Sequence, residues 1–329
     1  MNKRALAGQQ LAEIGFGCMN VNHAYSGFLT ENEASLLFHQ AIELGYNHFD
    51  TAALYGFGGN ERWLGNSMRS LRPRIFLASK CGMTGVNGKR TLDGRPETLV
   101  KTLEQALTRL QTDYIDLYYL HRIDPLVPIE ESVGALSRMV EQGKIGAIGL
   151  SEVSSDSLLR AHQVHPIAAV QTEYSLWTRN AEISVLATTK QLGCAFIAFS
   201  PLGRGFLSAA ITEPESLSAT DIRRTMPRFQ SEHWPENFAL QQQFISLAQQ
   251  AGCSAAQLAI SWLLAQGSHI HVLPGSRSVT HLKENAQSSG LKLPAEVLTQ
   301  AGNLISQLSV KGARYNIAAQ ADIDTEEFS

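Results

Sequence analysis

Residues 145–199 read IGAIGLSEVSSDSLLRAHQVHPIAAVQTEYSLWTRNAEISVLATTKQLGCAFIAF. Short apolar runs alternate here with stretches of helical period, in the order 145–150, 155–163, 168–171, 181–191 and 195–199. Apolar strands joined by helical crossovers make a parallel sheet that is covered on both faces. This stretch therefore predicts consecutive strand-then-helix units.

The same rhythm extends from this stretch in both directions along the chain. Further strands are predicted at 14–17, 47–50, 75–79, 114–120 and 271–273. Further helices are predicted at 31–44, 61–68, 96–110, 129–142, 254–265 and 279–288. Thr30 and Glu33 form a capping box before the first of these helices, and Gly45 is placed to end it. About eight such units favour a (β/α)8 barrel in a single domain, residues 1–329, with an open doubly wound sheet as the structural alternative.

Three segments exceed the minimal barrel. Residues 203–235 follow the seventh strand and are long and interrupted by glycine and proline, as functional or mobile loops often are. Residues 238–251 predict an extra helix. The tail from about residue 309 to 329 ends in acidic residues, and we expect it to be partly disordered.

The overall composition indicates which partners and which cellular location to expect. The 329 residues are 44% hydrophobic and 17% charged, and 27 basic against 30 acidic side chains give a net charge of -3. This balance gives no reason to expect a nucleic-acid or membrane partner. The four cysteines, Cys18, Cys81, Cys194 and Cys253, lack metal-ligand spacing and are expected to be reduced and buried, although Cys81 beside Lys80 has a low-pKa thiol as its alternative. Gln9, Gln10 and Glu13 interrupt any signal-peptide core, so we expect a cytoplasmic protein.

Four chemically useful side chains fall at the ends of three consecutive predicted strands. Asp50 ends the second strand, Tyr55 follows it, Lys80 ends the third and His121 ends the fourth. Taken alone, each has an ordinary explanation: a turn cap, a packed aromatic ring, a solvated charge and a structural histidine. The C-terminal ends of barrel strands meet in one cleft, where a lysine and an aspartate require pairing, and this convergence favours a catalytic site.

The quartet suits the reduction of a carbonyl. An oxygen that gains negative charge during hydride transfer needs a proton donor, and Tyr55 can serve if the Lys80 ammonium lowers its pKa from about 10. Asp50 would hold Lys80 by an ion pair, while neutral His121 would donate a hydrogen bond to the same oxygen. The hydride must come from a cofactor.

The stretches NHFDTAALYG at 47–56, SK at 79–80 and YLHR at 119–122 resemble the aldo-keto reductase family. The resemblance extends from Gly15 to Asn285 and is greatest to the bacterial and plant branch with the motif SPLGRG, here residues 200–205. It implies a (β/α)8 barrel and reduction of aldehydes or ketones with NADP(H). It also places the family's catalytic residues on the four side chains of the quartet.

The same resemblance assigns the residues that would bind the cofactor. The glycines of SPLGRG let backbone N–H groups approach a pyrophosphate, and Arg204 could add charge. The resemblance assigns the 2′-phosphate to residues around Ser276 and Arg277, the adenine to Glu284 and Asn285 (an exposed helix face being the alternative), and the carboxamide to Ser151, Glu152 and Gln171. The full predicted set is Ser151, Glu152, Gln171, Phe199, Ser200, Pro201, Leu202, Gly203, Arg204, Gly205, Gly275, Ser276, Arg277, His281, Glu284 and Asn285.

Several positions depart from the family pattern. Gly275 and His281 stand where many relatives carry Lys and Arg, so the 2′-phosphate would depend largely on Arg277. Glu152 can accept from the carboxamide NH2 but cannot donate to its C=O, so Ser151 or Gln171 would have to donate. Phe199 replaces a Tyr or Trp that stacks on nicotinamide, keeping the ring face without its polar group.

Two other functions are compatible with this sequence. Potassium-channel β subunits share the fold and motifs, so an NADPH-binding regulatory subunit is the alternative outside enzymes. A metal-dependent barrel hydrolase is a weaker alternative, because no strand-end set of His and carboxylates has metal spacing. The substrate pocket is expected to involve loop 203–235, the loop after the fourth strand, the tail near Arg314 and Tyr315, and the aromatic residues Tyr25, Trp63, Tyr174 and Trp177.

Overall fold

A computed structural model describes residues 1–86 and 89–328 of the chain. The chain begins with an antiparallel hairpin, β1 (Lys3–Leu6) and β2 (Gln9–Ala12). Eight parallel strands then form one sheet: β3 (Phe16–Gly17), β4 (His48–Asp50), β5 (Phe76–Cys81), β8 (Leu117–Leu120), β9 (Ile148–Ser151), β10 (Ile167–Glu173), β11 (Ala195–Phe199) and β12 (Ile270–Leu273). A second hairpin, β6 (Met83–Val86) and β7 (Lys89–Leu92), follows β5.

The sheet closes on itself between its first and last strands. The backbone N–H of Gly15 donates to the carbonyl of Val272 over 2.9 Å, and that of Gly17 donates to Pro274 over 3.1 Å. Parallel bridges join Ile14 to Val272 and Gly17 to Gly275. The predicted (β/α)8 barrel is therefore confirmed, and the open sheet is excluded.

Helices alternate with the strands around the barrel. They are α1 (Glu31–Glu43), α2 (Gly59–Met68), α3 (Pro96–Leu110), α4 (Ile129–Glu141), α5 (Ser155–Val164), α6 (Val185–Leu192), α7 (Trp234–Gln250), α8 (Ala255–Ala265), α9 (Val279–Gln287), α10 (Ala295–Leu304) and α11 (Ile317–Gln320). The capping box of Thr30 and Glu33 is present at α1, and Gly45 has φ 92° just beyond its end, as predicted. None of the helices within residues 1–86 and 89–328 is long and apolar enough to span a membrane.

Side-chain alternation along the strands divides the barrel interior into two ends. The N-terminal end is apolar: Leu6 and Leu11 of the first hairpin pack with Phe76, Tyr119 and Ile197. Successive strand residues point to opposite faces, so Lys80 shares the inward face with Phe76 and Ala78, and Gln171 shares it with Ala169. The inward residues at the C-terminal ends are therefore polar. The barrel thus has a sealed apolar bottom and a polar mouth.

The two hairpins, α10 and α11 are absent from the sequence prediction. Each hairpin strand has only four residues, too few for a clear alternating pattern. The predicted extra helix is present as α7, although it begins four residues earlier than expected, at Trp234.

The predicted disorder of the tail is wrong for its described residues. Asp324 Oδ2 accepts a hydrogen bond from the backbone N–H of Ser154 over 2.8 Å, and Glu326 Oε1 accepts from that of Ser155 over 2.7 Å. These N–H groups lie at the start of α5, where the helix dipole attracts carboxylates. The acidic residues that suggested a solvated tail therefore attach it to the barrel.

The long segment 203–235 consists of short 3-10 turns and reaches back across the barrel mouth. The backbone N–H of Ile222 donates to the carbonyl of Ala24 over 3.0 Å, and Asp221 Oδ2 accepts from the N–H of Ser26 over 3.3 Å. This segment and the loop after β3 therefore meet above the strand ends.

Candidate active site

A cavity of about 830 Å³ opens at the C-terminal ends of the strands. Asp50, Tyr55 and His121 line it, while Lys80 is completely buried beneath them. Strand ends β4, β5 and β8, which are neighbours in the sheet, place Asp50, Lys80 and His121 together. The structure thus assembles the four side chains that the sequence placed in one cleft.

Lys80 is the centre of the quartet. Its Nζ contacts Asp50 Oδ1, donates to the carbonyl of Thr51 over 2.9 Å and lies 3.4 Å from the Tyr55 hydroxyl. Burial alone would lower the pKa of Lys80, but the negative charge of Asp50 and the hydrogen bonds to Asp50 and Tyr55 outweigh burial and leave that pKa above its ordinary value. Lys80 is therefore an ammonium at neutral pH.

The expected acidification of Tyr55 is wrong in its net direction. Burial raises the pKa of the Tyr55 hydroxyl, and the Lys80 ammonium opposes only part of that rise. The expectation failed because a phenolate loses more solvation in this closed position than one ammonium restores. The phenol is consequently protonated throughout the neutral range.

His121 lies beside Tyr55 with its ring edge-on, the two ring centroids being 5.8 Å apart at an interplanar angle of 86°. Burial, followed by the charges of Arg122 and Lys80, lowers the pKa of His121 well below its ordinary value. The imidazole is therefore neutral at physiological pH and carries one N–H donor, as the sequence argument requires.

Gln171 and Ser151 present complementary groups beside the quartet. Gln171 Nε2 donates to Asp50 Oδ2 over 2.8 Å, and since a carboxylate only accepts, Gln171 Oε1 is left to accept elsewhere. Ser151 Oγ accepts from Arg122 Nη1 over 3.1 Å, which leaves the hydroxyl proton to be donated. One acceptor and one donor are what a primary carboxamide needs.

The structure corrects the interpretation of Glu152. This residue is fully buried and does not line the cavity. Its carboxylate contacts Arg314 and accepts from the hydroxyl of Thr325 over 2.7 Å and the backbone N–H of Glu173 over 2.8 Å. With its oxygens turned to these partners, Glu152 cannot accept from a ligand in the cavity.

The segment 200–205 forms a backbone cradle along the cavity. Ser200, Gly203, Arg204 and Gly205 have φ of 50°, 54°, 57° and 99°. The N–H groups of Gly203 and Gly205 donate to the carbonyls of Ser200 and Leu202, so the turns leave the N–H groups of Leu202 and Arg204 for a ligand. Ser200, Pro201, Leu202, Arg204 and Gly205 line the cavity, whereas Gly203 packs against Trp177 instead.

Arg204 does not offer the unpaired charge that its sequence position suggested. Its Nη2 donates to Glu173 Oε2 over 2.7 Å and to the Tyr315 hydroxyl over 2.9 Å. Its guanidinium is therefore neutralised within the protein, and any phosphate contact by this segment depends on backbone N–H groups.

The predicted adenosine residues lie at the other end of the cavity. All six line it: Gly275, Ser276, Arg277, His281, Glu284 and Asn285. Asn285 is 2% exposed, which argues against the exposed-face interpretation for that residue. A Cβ at Gly275 would lie 2.5 Å from Asn20 Oδ1, so the Asn20 side chain occupies the space that a larger residue at this position would need. Arg277 Nη1 contacts the carbonyls of Ser26 and Gly27.

Several cavity residues were missed by the sequence argument. His23 is the most prominent, since its ring stacks on Tyr55 with centroids 5.6 Å apart. The others come from the loop after β3, the hairpin after β5, the loop after β8, segment 203–235 and the tail. They include Met19, Asn20, Met83, Arg90, Arg122, Arg223, Thr225, Met226, Asn316, Ala319, Asp322 and Ile323. For many of these residues, the only indication in the sequence was their location in segment 203–235 or in the tail, both of which were predicted to border the pocket.

Some expected pocket groups are structural. Tyr25 lines the cavity, but Tyr174 and Trp177 are buried in the core, and Trp63 packs against it.

Burial raises the pKa of the Cys81 thiol far above its ordinary value, which excludes a low-pKa thiol there. Among residues 1–86 and 89–328, no group of three or more His, Cys, Asp or Glu side chains is arranged to hold a metal ion.

Comparisons with known proteins identify the family of the chain. Residues 13–305 match the model of the Aldo/keto reductase family. Probable aldo-keto reductase 1 of Glycine max is 37% identical over 315 residues, covering 95% of this chain and 91% of that protein. Among solved structures, the glycerol dehydrogenase of Gluconobacter oxydans has a TM-score of 0.84 at 26% identity, with coverage of 92% of this chain and 94% of that one. An aldo-keto reductase of Bacillus halodurans in its holo form has a TM-score of 0.77 at 26% identity, with coverage of 96% and 99%. With a barrel, a strand-end quartet and a family match over most of its length, the chain belongs to the aldo/keto reductase family and is an oxidoreductase.

Proposed function

We propose that this chain reduces the carbonyl of an aldehyde or ketone with hydride from NADPH, using Tyr55 as the proton donor. The observation that carries the proposal is the hydroxyl of Tyr55 at the cavity wall, 3.4 Å from Nζ of the buried Lys80. The reverse reaction, oxidation of an alcohol, would use the same groups.

The residues of the cavity fit a nicotinamide dinucleotide. The cavity runs from Tyr55 to Asn285, and the backbone N–H groups of Leu202 and Arg204 in segment 200–205 would donate to a pyrophosphate along its course. Arg277, Ser276 and His281 would hold a 2′-phosphate, which favours NADPH over NADH. Ser151 would donate to the carboxamide C=O, Gln171 would accept from its NH2, and Phe199 would pack on the ring. When bound, the cofactor supplies a hydride.

The protein's own groups supply the proton and stabilise the charge. Tyr55 donates its proton to the carbonyl oxygen, and Lys80 stabilises the phenolate that results. The neutral ring of His121 orients the oxygen by a hydrogen bond from its remaining N–H. Asp50 fixes Lys80 and, through Gln171, connects the proton donor to the carboxamide-binding group.

A fluorescence titration with NADPH and NADH, followed by an aldehyde and ketone panel, tests the proposal. We expect tighter binding of NADPH and steady NADPH oxidation with a simple aromatic aldehyde. Tight NADPH binding without turnover of any carbonyl would instead support the regulatory-subunit function. If neither NADPH nor NADH binds, both the reductase function and the regulatory-subunit function are contradicted.

A further inference from the structure

The C-terminal tail, residues 309–328, forms one wall of the cavity. It contributes Asn316, Ala319, Asp322 and Ile323 to the lining. Asp322 forms an ion pair with Arg90 of the β6–β7 hairpin, and Met83 of that hairpin packs against Tyr55. The tail therefore closes the cavity near the reacting end.

Arg314 attaches the beginning of the tail to the barrel. Its side chain is 3% exposed and lies between two carboxylates, contacting Glu152 and donating from Nε to Glu173 Oε2 over 3.3 Å. A buried guanidinium is stable only when paired, so the tail can dock here only with both carboxylates ionised. Burial would raise the pKa of Glu173, but Arg204 and Arg314 lower it to about 2.

Glu152 also attaches the end of the tail. Its second oxygen accepts from Thr325 Oγ1 over 2.7 Å, and its backbone carbonyl accepts from the N–H of Asp324 over 3.0 Å. The cavity-lining residues of the tail lie between this attachment and Arg314. The residue that departs from the family's carboxamide-binding pattern thus holds both ends of the wall.

We propose that Arg314 is a positioning residue for substrate: bound between Glu152 and Glu173, it holds the tail as the wall against which larger carbonyl compounds pack. This rests on the proposed reductase function. A small aldehyde can react at Tyr55 without reaching the wall, whereas a bulky aromatic aldehyde loses packing when the wall moves. Arg314 thereby sets the preference of the enzyme between large and small substrates.

The experiment compares Arg314→Met with the wild type using propanal and 2-naphthaldehyde at saturating NADPH. We expect KM for 2-naphthaldehyde to rise on the order of tenfold, with kcat and the KM for propanal changing much less. Arg314→Lys should recover much of the difference, since an ammonium can still pair with a carboxylate. General loss of structure would reduce kcat for both aldehydes alike, so the ratio of the two KM values separates positioning from folding.

A second measurement does not depend on turnover. Cleavage by a glutamyl endopeptidase at Glu326 and Glu327 should be faster in Arg314→Met than in the wild type and unchanged in Arg74→Met, which breaks an exposed pair with Glu43 of α1. Thr325→Val, which removes the side-chain hydrogen bond to Glu152 at the other end of the wall, should speed cleavage in the same way. An unchanged ratio of KM values, or unchanged cleavage in both tail variants, overturns the proposal. If the wild type reduces no carbonyl, the reductase function fails, and cleavage still decides whether Arg314 holds the tail.

Discussion

At the scale of single residues, Tyr55 is governed by two opposing effects. The surrounding protein removes water from its hydroxyl, which disfavours the phenolate, while the Lys80 ammonium favours it. A resting phenol that is protonated, with a cation ready for the charge it acquires on donation, is better suited to reduction than one already ionised.

Replacement of Tyr55 by Phe tests this role directly. Tyr55→Phe removes the proton donor and leaves the ring in place, so we expect hydride transfer to a carbonyl to slow by about 10²- to 10⁴-fold. NADPH affinity, measured by fluorescence titration, should stay close to the wild-type value. Undiminished turnover would show that another group donates the proton.

The pH dependence of reduction follows from the same pKa directions. The donor is lost when Tyr55 deprotonates, and since its pKa is raised, we expect a flat rate through the neutral range and a fall only beyond about pH 10. His121, whose pKa is well below 6.5, should produce no limb near that pH. Single-turnover rates at saturating cofactor would check the profile, and a limb near neutrality would conflict with the raised Tyr55 pKa.

At the scale of elements, two glycines within helices differ in the space around them: one is tightly packed and the other is not. A Cβ at Gly65 in α2 would lie 2.6 Å from the backbone carbon of Leu110 at the end of α3, whereas one at Gly134 in α4 would meet only Arg138 Nη1 at 3.9 Å. The first glycine allows two helices to approach closely, and the second has no such constraint.

Alanine substitutions at these positions should therefore change stability in opposite directions. Gly65→Ala forces α2 and α3 apart and should lower the free energy of unfolding by about 1–3 kcal/mol. Gly134→Ala should raise it by about 0.5–1 kcal/mol, because alanine has the higher helix propensity. Urea denaturation of the two variants provides the comparison, and equal effects would mean that the α2–α3 contact is not tight.

The turn before α9 carries the proposed choice of cofactor. Arg277→Gln removes the only arginine among the six adenosine-end residues and should weaken NADPH binding by about 10- to 100-fold, the value of a charge-assisted hydrogen bond. NADH lacks the 2′-phosphate, so its dissociation constant should change little. Titration of both cofactors also controls for any movement of Ser26 and Gly27, which would affect the two alike.

At the scale of the whole molecule, local patterns predicted the repeating architecture and the quartet. Eight units of strand and helix are visible in the sequence because each needs only neighbouring residues, and strand ends of a barrel converge by geometry alone. Glu152 and Arg204 were misjudged because their partners are distant: Arg314 lies 162 residues from Glu152 in the chain. Nothing local to either residue indicates that its charge is already paired.

That long-range network predicts how the whole fold responds to acid. Glu173 has its folded-state pKa lowered to about 2 from an ordinary 4.5, so the stability it contributes is present above the ordinary value and is lost as pH falls toward about 2. Between about pH 6 and pH 3, the wild type should therefore lose about 2 kcal/mol more than Glu173→Gln, which has no carboxyl to titrate. Asp50 and Glu61, the buried carboxyl groups with raised pKa, titrate in both proteins and cancel in the comparison. Urea unfolding across this range gives the free energy of unfolding of each protein as a function of pH. Parallel curves for the two proteins would mean that the Arg204 and Arg314 pairs do not hold Glu173 ionised.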